Sequence, residues 1–488
     1  MTPVAPPEGV AVDAFMRDSD AFSWYMEQDP ILRSTVVAVA WLECSPDWDV
    51  LVAKLDRATR MIPMFRQRVI EPPARLATPR WTVDGSFDLT WHLRRVDSPE
   101  PHMPSTVITM ARIAAMTSFD RSRPLWEFTL VEHLEGNRAA LIMKVHHSLT
   151  DGLGGMQLAL LLFDVDPVVT APDDQACGPA AEHIGTGELL RLSLNRDWDR
   201  LAGVMHHGAE VAAPGILRAA RHPVASVGRI VETALSIGRT VAPVRTTLSP
   251  IMTERGLDRR LDILEVDLGD LKRAADTAGG TVNDGFMAAV AGGFRLYHEH
   301  HGVVVEALRV TLPISIRTPE DPLGGNRITL IRFCVPVSDP DPASRIGAMN
   351  RLCRTARDER SLPMTNTIAG ALNLLPRGTV GRMLKHVDFV ASDVPGFTFP
   401  VHLAGARLER YVAFGPTIGS SANLTLLSYN GTCCVGVTID TAAVPDAVVL
   451  ADCLRAGFEE VLALGGEHDP VRTPLRVAAR ATGPRSET

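Results

Sequence analysis

Two imidazoles, a carboxylate and a cluster of glycines meet in the stretch Lys144-Val145-His146-His147-Ser148-Leu149-Thr150-Asp151-Gly152-Leu153-Gly154-Gly155. A histidine with an unperturbed pKa of about 6.5 can take a proton from a hydroxyl near neutral pH, provided that its tautomer and ring plane are held. His147 and Asp151 stand four residues apart across a turn, and Gly152 reaches backbone angles that would let the chain fold back between them. Residue types alone leave three readings open: a general base with its supports, a hydrogen-bonded pair of core imidazoles, or a metal site. Metal is the least favoured of these, and no metal or bound cofactor is expected. The other His/acid cluster, His298-Glu299-His300-His301, falls at the end of a helical pattern and reads as a solvated terminus.

The elements that must position these residues are legible on either side. Residues 138–145 are almost continuously apolar, the pattern of a strand buried on both faces. Residues 156–163 form helix, so Asp151-Gly152 sits in the turn that launches it. Upstream, Trp126, Phe128 and Leu130 share one face of an extended run, and Glu135-Gly136-Asn137 turns it into the histidine strand as a hairpin. Trp126 packs the sheet or lines a channel, with packing the better expectation. Earlier still, residues 34–42 read as a strand, 49–61 as a helix and 65–70 as a strand carrying Arg66 and Arg68.

His146-His147-Ser148-Leu149-Thr150-Asp151-Gly152 resembles the HHxxxDG signature of the CoA-dependent acyltransferase superfamily. Within it the chain resembles the bacterial wax ester synthases/diacylglycerol acyltransferases. Arg123-Pro124-Leu125-Trp126-Glu127 is similar to the PLW element, and Thr281-Val282-Asn283-Asp284 to the ND element. Leu312-Pro313-Ile314-Ser315-Ile316-Arg317, Gly325-Asn326-Arg327 and Ser392-Asp393-Val394-Pro395-Gly396 are similar to the PxSxR, GN and SNVPG segments. Asp393 stands where an asparagine is usual, which puts acceptor preference in question.

The resemblance implies an α/β (α+β) fold of two chloramphenicol-acetyltransferase-like halves around a central tunnel. It implies acyl transfer from long-chain acyl-CoA, a co-substrate, to diacylglycerol or a fatty alcohol, giving storage lipid. His147 would be the general base, and no acyl-enzyme would form. His146, Asp151 and Gly152 would support the motif, with Asp151 more structural than a triad acid. Superfamily relatives pair this aspartate with an arginine, for which Arg66, Arg68 and Arg317 are candidates. Asn283 and Asp284 are candidates for substrate or oxyanion contact. For Asn283-Asp284, plain capping of the following helix, with Thr281 or Asn283 as N-cap, is an equal alternative. Acylation of a hydroxylated polyketide, use of a carrier-bound donor, and lipid binding with negligible turnover remain alternatives.

The totals set bounds. At 488 residues the chain exceeds one ordinary domain. Its formal net charge of -8 argues against nucleic acid as a partner. Seven cysteines without a CxxC pair read as reduced thiols. No signal-peptide pattern or membrane-length apolar run is present, so a cytoplasmic protein is expected. The composition suggests a first half over 1–165, a linker over 166–250, a second half over 251–465 and a frayed tail over 466–488. Within the linker Val224, Val227, Val231 and Leu235 recur at helical spacing, with Arg221, Arg229 and Arg239 off that stripe. Such an amphipathic helix packs across the halves or rests peripherally on a membrane or lipid droplet. In the second half, residues 308–316 and 328–337 read as strands, and Asn430-Gly431 as the turn of a hairpin.

Overall fold

The computed structural model describes residues 14–73, 77–168, 184–196, 198, 244–317, 325–357, 381 and 384–474. In the first half, α1 (Asp18–Met26), β1 (Thr35–Leu42), α2 (Trp48–Met61), β2 (Gln67–Ile70), β3 (Arg80–Val83) and β4 (Leu93–Asp97) are followed by α3 (Pro104–Met116). Next come β5 (Trp126–Leu134), β6 (Arg138–His146), α4 (Gly152–Leu162) and the short β7 (Phe163–Asp164). In the second half, β8 (Arg259–Asp267), α5 (Leu268–Thr277), α6 (Val282–His300), β9 (Ala307–Ser315), β10 (Ile328–Pro336) and α7 (Pro342–Arg357) precede β11 (Phe389–Val394). The chain then runs through β12 (His402–Leu403), β13 (Ala406–Phe414), β14 (Ala422–Tyr429), β15 (Thr432–Asp440) and α8 (Ala447–Leu462).

The apolar run before the histidines is β6, and its central place explains its composition. It lies between β5 and β1 in a sheet ordered β4-β5-β6-β1-β13-β12-β7, and all but its first residue are buried. The second sheet runs β10-β9-β11-β14-β15-β8. Its β14–β15 hairpin turns through Asn430 and Gly431, both left-handed at φ 44 and 85, as an Asn-Gly hairpin requires.

The first sheet takes strands from both sides of the division expected near residue 251. Strands β12 and β13 come from the second half of the sequence but complete the first sheet, with Val37 opposite Phe414 and Val39 opposite Val412. A core cluster between the sheets joins Val37, Val39 and Trp41 of β1 to Val107 and Ile108 of α3 and Leu261 and Ile263 of β8. Without β13, β1 would leave an apolar edge unpaired.

Other expectations need smaller corrections. Residues Pro63–Arg66 form a 3-10 turn, because Pro63 pre-sets its first position, so Arg66 precedes strand β2 rather than lying on it. His298 is buried rather than solvated, bonded to the Phe294 carbonyl at 2.7 Å and to Ser249 Oγ at 2.8 Å. The expected amphipathic helix around residues 221–239 lies outside the described residues, as does most of the linker. Among the described residues, no helix is long and apolar enough to cross a membrane.

Helices α6 and α8 pack backbone to backbone. A Cβ on Gly457 would lie 2.4 Å from both the Ala289 carbonyl oxygen and the Gly293 nitrogen. Gly457→Ala is therefore expected to destabilise the second half by about 1–3 kcal/mol, read as a lower urea midpoint at unchanged m-value.

Candidate active site

Strand β6 ends at His146, and the chain leaves the sheet with adjacent imidazoles in unlike surroundings. His146 is wholly buried. Its Nδ1 accepts from the Ser148 amide at 3.1 Å and lies 2.7 Å from Ser148 Oγ, so the proton is assigned to Nε2, which donates to Glu27 Oε2 at 3.0 Å. Burial alone would raise the Glu27 pKa. The His146 bond, the Arg121 guanidinium and the Ser34 amide outweigh it and hold that carboxyl below its ordinary range. Trp24 and Phe119 meet the ring edge-on at 6.0 and 6.1 Å. His146 is thus fixed, with no nitrogen left for substrate.

His147 is anchored through its backbone, whose amide donates to the Ser34 carbonyl at 2.9 Å. Its ring lines a cavity, and Nδ1 is buried without a hydrogen-bond partner among the described residues. With Nδ1 enclosed, Nε2 is the nitrogen assigned to the cavity side. Burial pushes the pKa of His147 below 6.5, only partly offset by its own backbone and the charge of Asp151. Such an imidazole stays neutral and able to accept a proton at pH 7.

The cavity holds about 1020 Å3 of empty space, part of it open to solvent. Its walls come from both halves: Val36, Phe128 and Met143 on one side, Leu330, Ser392 and Val394 on the other. Trp126 is not among the lining residues; it is buried, bonded through Nε1 to the Phe65 carbonyl and stacked on His92 at 4.6 Å.

Asp151 caps α4, accepting the Gly154 amide at 2.6 Å through Oδ1. Its Oδ2 accepts the Arg327 amide at 2.7 Å and pairs with Arg317 Nη2 at 3.3 Å. Arg317 is thus the arginine that meets Asp151. Arg66 is bonded to Asp56 and lies over the Phe87 ring at 4.8 Å, while Arg68 sits on β2 opposite Thr82. Arg317 also donates to the Gly325 carbonyl at 2.7 Å, and Gly325 donates to the Leu149 carbonyl at 2.9 Å. The neighbouring Asn326 reaches Asp20 at 2.9 Å.

Gly152 serves another purpose than expected. It is absent from the left-handed positions and begins α4; a Cβ there would come within 2.8 Å of Val394 Cγ2 from the second half. Close approach, not backbone freedom, excludes a side chain.

Asn283 and Asp284 are not brought to the histidine. Thr281 and Asp284 form a reciprocal capping box on α6, and Asp284 also accepts from Asn350 at 2.8 Å. Asn283 contacts Cys353 Sγ at 3.5 Å and lines a separate cavity with Ser315, Arg357 and Asp393. That cavity shares Pro313 with the one holding His147. Ser392 was quoted only within the SNVPG-like segment and given no role, and Glu27 was not singled out; nothing around α1 signals that Glu27 would meet a histidine 119 residues away. Among the described residues, no cluster of His, Cys, Asp and Glu could hold a metal ion.

Asp151→Ala would leave the buried Arg317 without its carboxylate and is expected to cost about 3–5 kcal/mol by chemical denaturation. Gly152→Val should push Val394 and the β11 end away, lowering turnover through altered spacing of the cavity walls while β6 stays folded. Its near-ultraviolet circular dichroism and activity would check this.

Comparison with known proteins agrees with this architecture. Residues 16–286 match the model of the wax ester synthase/diacylglycerol acyltransferase catalytic domain, and residues 324–461 the WS/DGAT C-terminal domain. A Mycobacterium tuberculosis (strain H37Rv) protein, provisionally a diacylglycerol O-acyltransferase, is 33% identical over 94% of each chain. The wax ester synthase/diacylglycerol acyltransferase of Marinobacter aquaeolei VT8 superposes with a TM-score of 0.62 at 21% identity, over 93% of this chain and 100% of that one. The first condensation domain of the calcium-dependent antibiotic synthetase gives 0.60 at 16% identity, over 95% and 98%. The starter condensation domain of rhizomide synthetase, solved as a mutant with C8-CoA and Leu-SNAC, gives 0.58 at 13% identity, over 94% and 98%. The expected fold is therefore the one found, a mixed α/β condensation-domain-like pair of sheets. The chain belongs to the wax ester synthase/diacylglycerol acyltransferase family, and is an acyltransferase of that kind.

Proposed function

We propose that the protein transfers a long-chain acyl group from acyl-CoA to the hydroxyl of diacylglycerol or a fatty alcohol, with His147 as general base. The observation that carries this is the His147 imidazole, its pKa lowered by burial, on the wall of a largely apolar cavity. An apolar wall suits an acyl chain, and the rhizomide condensation domain, of similar fold, forms a complex with C8-CoA. His147 takes the proton as the hydroxyl attacks the thioester carbonyl, and its imidazolium returns that proton to the departing thiolate. No acyl-enzyme is needed. His146, Asp151 and Gly152 position the turn. Ser392 and Thr425, hydroxyls that the second half adds to the cavity wall, are candidates to meet the carbonyl oxygen, whereas Asn283 lines the neighbouring cavity. Peripheral contact with a membrane or lipid droplet would fit the substrates.

CoA release from palmitoyl-CoA, with and without hexadecanol or a diacylglycerol, tests the reading. Release that requires an acceptor and drops about 10²–10⁴-fold in His147→Ala is the expected outcome. Acceptor-independent release, or no difference between wild type and mutant, would sink it.

The pH dependence follows from the His147 shift. The base is the unprotonated form, and burial lowers its pKa, so kcat/KM should reach half its plateau value below pH 6.5. A half-maximum above pH 6.5 in a pH–rate profile would contradict that role.

A further inference from the structure

Helix α1 ends beside the histidine turn, and Glu27, its C-cap, carries a carboxylate that meets that turn. The Glu27 side chain is 8% exposed and is not among the residues lining the cavity of His147. Three donors converge on it. His146 Nε2 lies 3.0 Å from Oε2, the Ser34 amide 3.4 Å from Oε1, and the Arg121 guanidinium 3.6 Å from Oε2. Arg121 is itself stacked on the Trp24 ring at 4.1 Å, and Trp24 Nε1 donates to Glu71 at 2.7 Å. An acid held this firmly, away from the cavity, acts on the chemistry only through its neighbours.

Two of those neighbours lead to His147 from opposite sides. Ser34 gives its amide to Glu27 and takes the His147 amide on its carbonyl at 2.9 Å. On the other side, the Ser148 amide donates to Nδ1 of His146 at 3.1 Å, which requires the imidazole proton to sit on Nε2. Glu27 accepts that proton's hydrogen bond and so favours the tautomer. With the proton on Nδ1, two donors would face each other and Ser148 would be pushed away; its hydroxyl, 2.7 Å from Nδ1, serves either tautomer, but its amide serves only one. His147 is held between Ser34 and Ser148, so moving either moves its ring. The start of α1 meets the second half as well: Arg17 donates to the Asn326 carbonyl and Asp20 accepts from the Asn326 side chain, both at 2.9 Å. One helix therefore refers the histidine turn to the segment that docks against it.

We propose that Glu27 is the positioning residue of His147: by accepting the Nε2 proton of His146 and the Ser34 amide, it fixes both chain segments between which the reactive imidazole hangs. That His147 is the base whose placement matters rests on the function proposed above. The tautomer of His146 does not.

Nuclear magnetic resonance on protein labelled with 15N-histidine reads that tautomer without turnover. In wild type His146 should show a protonated Nε2 and a bare Nδ1; a proton on Nδ1 overturns the role, so the idea is testable even if a variant fails to fold. Glu27→Met keeps an unbranched side chain and removes the acceptor, whereas Glu27→Gln keeps one acceptor oxygen. The Nε2–H pattern should be lost and the His147 ring signals shifted in Glu27→Met, and both retained in Glu27→Gln. Unchanged His146 and His147 signals in Glu27→Met overturn the role.

Kinetics separate positioning from plain stability. With palmitoyl-CoA and hexadecanol or a diacylglycerol, folded Glu27→Met should lose about 10–100-fold in kcat while KM changes less than about threefold, and Glu27→Gln should return to within about threefold of wild type. Normal kcat in folded Glu27→Met, or equal losses in Glu27→Met and Glu27→Gln, overturns the role. A wild type that shows the Nε2–H tautomer, loses it in Glu27→Met and yet releases no CoA with either acceptor would fail the acyl-transfer reading while leaving the anchoring of the turn standing.

Discussion

The carboxylate of Asp151 is the constraint on which the rest depends. One oxygen satisfies the first turn of α4, while the other takes the Arg327 amide and the Arg317 guanidinium. A buried ion pair of this sort gives little net stability, because stripping water from both charges costs nearly what their attraction returns. Its value is geometric. It allows one docking of the 325–327 segment against the histidine turn, with Gly152 setting the distance to Val394. The cavity walls come from both halves, so the cavity has its shape only when that docking is made.

Adjacent histidines meet unlike surroundings because they straddle the end of a strand. His146 is the last residue of β6, held by the alternation of the strand toward Glu27, Trp24 and Phe119, and both of its nitrogens are used. His147 is the first residue off the ladder, with its backbone tied to Ser34 and its ring released to the other side. A buried, satisfied imidazole beside an unsatisfied one suits the proposed separation of support from reactivity.

Much of this was legible in the sequence where local physics decides. The apolar run of β6, the hairpin at Asn430-Gly431 and the helix launched at Asp151 follow from period, turn chemistry and capping. The family segments named the parts of the site, but not their meetings. Arg317 could not be separated from Arg66 and Arg68, since the choice is made by a contact 166 residues long in sequence. Asn283 and Asp284 stand at the head of α6, where capping geometry turns Asp284 back onto Thr281 and sends Asn283 to a neighbouring cavity. Gly152 was recognised for the wrong reason, because the side chain that excludes a Cβ there belongs to the other half. The return of β13 to the first sheet had no local signal at all: an edge partner is chosen by what the sheet lacks.

The same burial that shapes the site sets the terms of the proposed chemistry. Removing His147 from water lowers its pKa, which weakens it as a base but favours its unprotonated form at neutral pH. An imidazolium formed in that cavity would be costly, because Asp151 is already committed to Gly154, Arg317 and Arg327 and offers only its field. A proton taken from a hydroxyl would therefore have a strong reason to move on. In the proposed transfer the thiolate leaving the acyl group appears in the same cavity, as the acid's natural acceptor, when the alkoxide's charge has been consumed in the new ester bond. A base made reluctant to keep its proton suits a single histidine that must both take and return it, and needs no further acid in the chain.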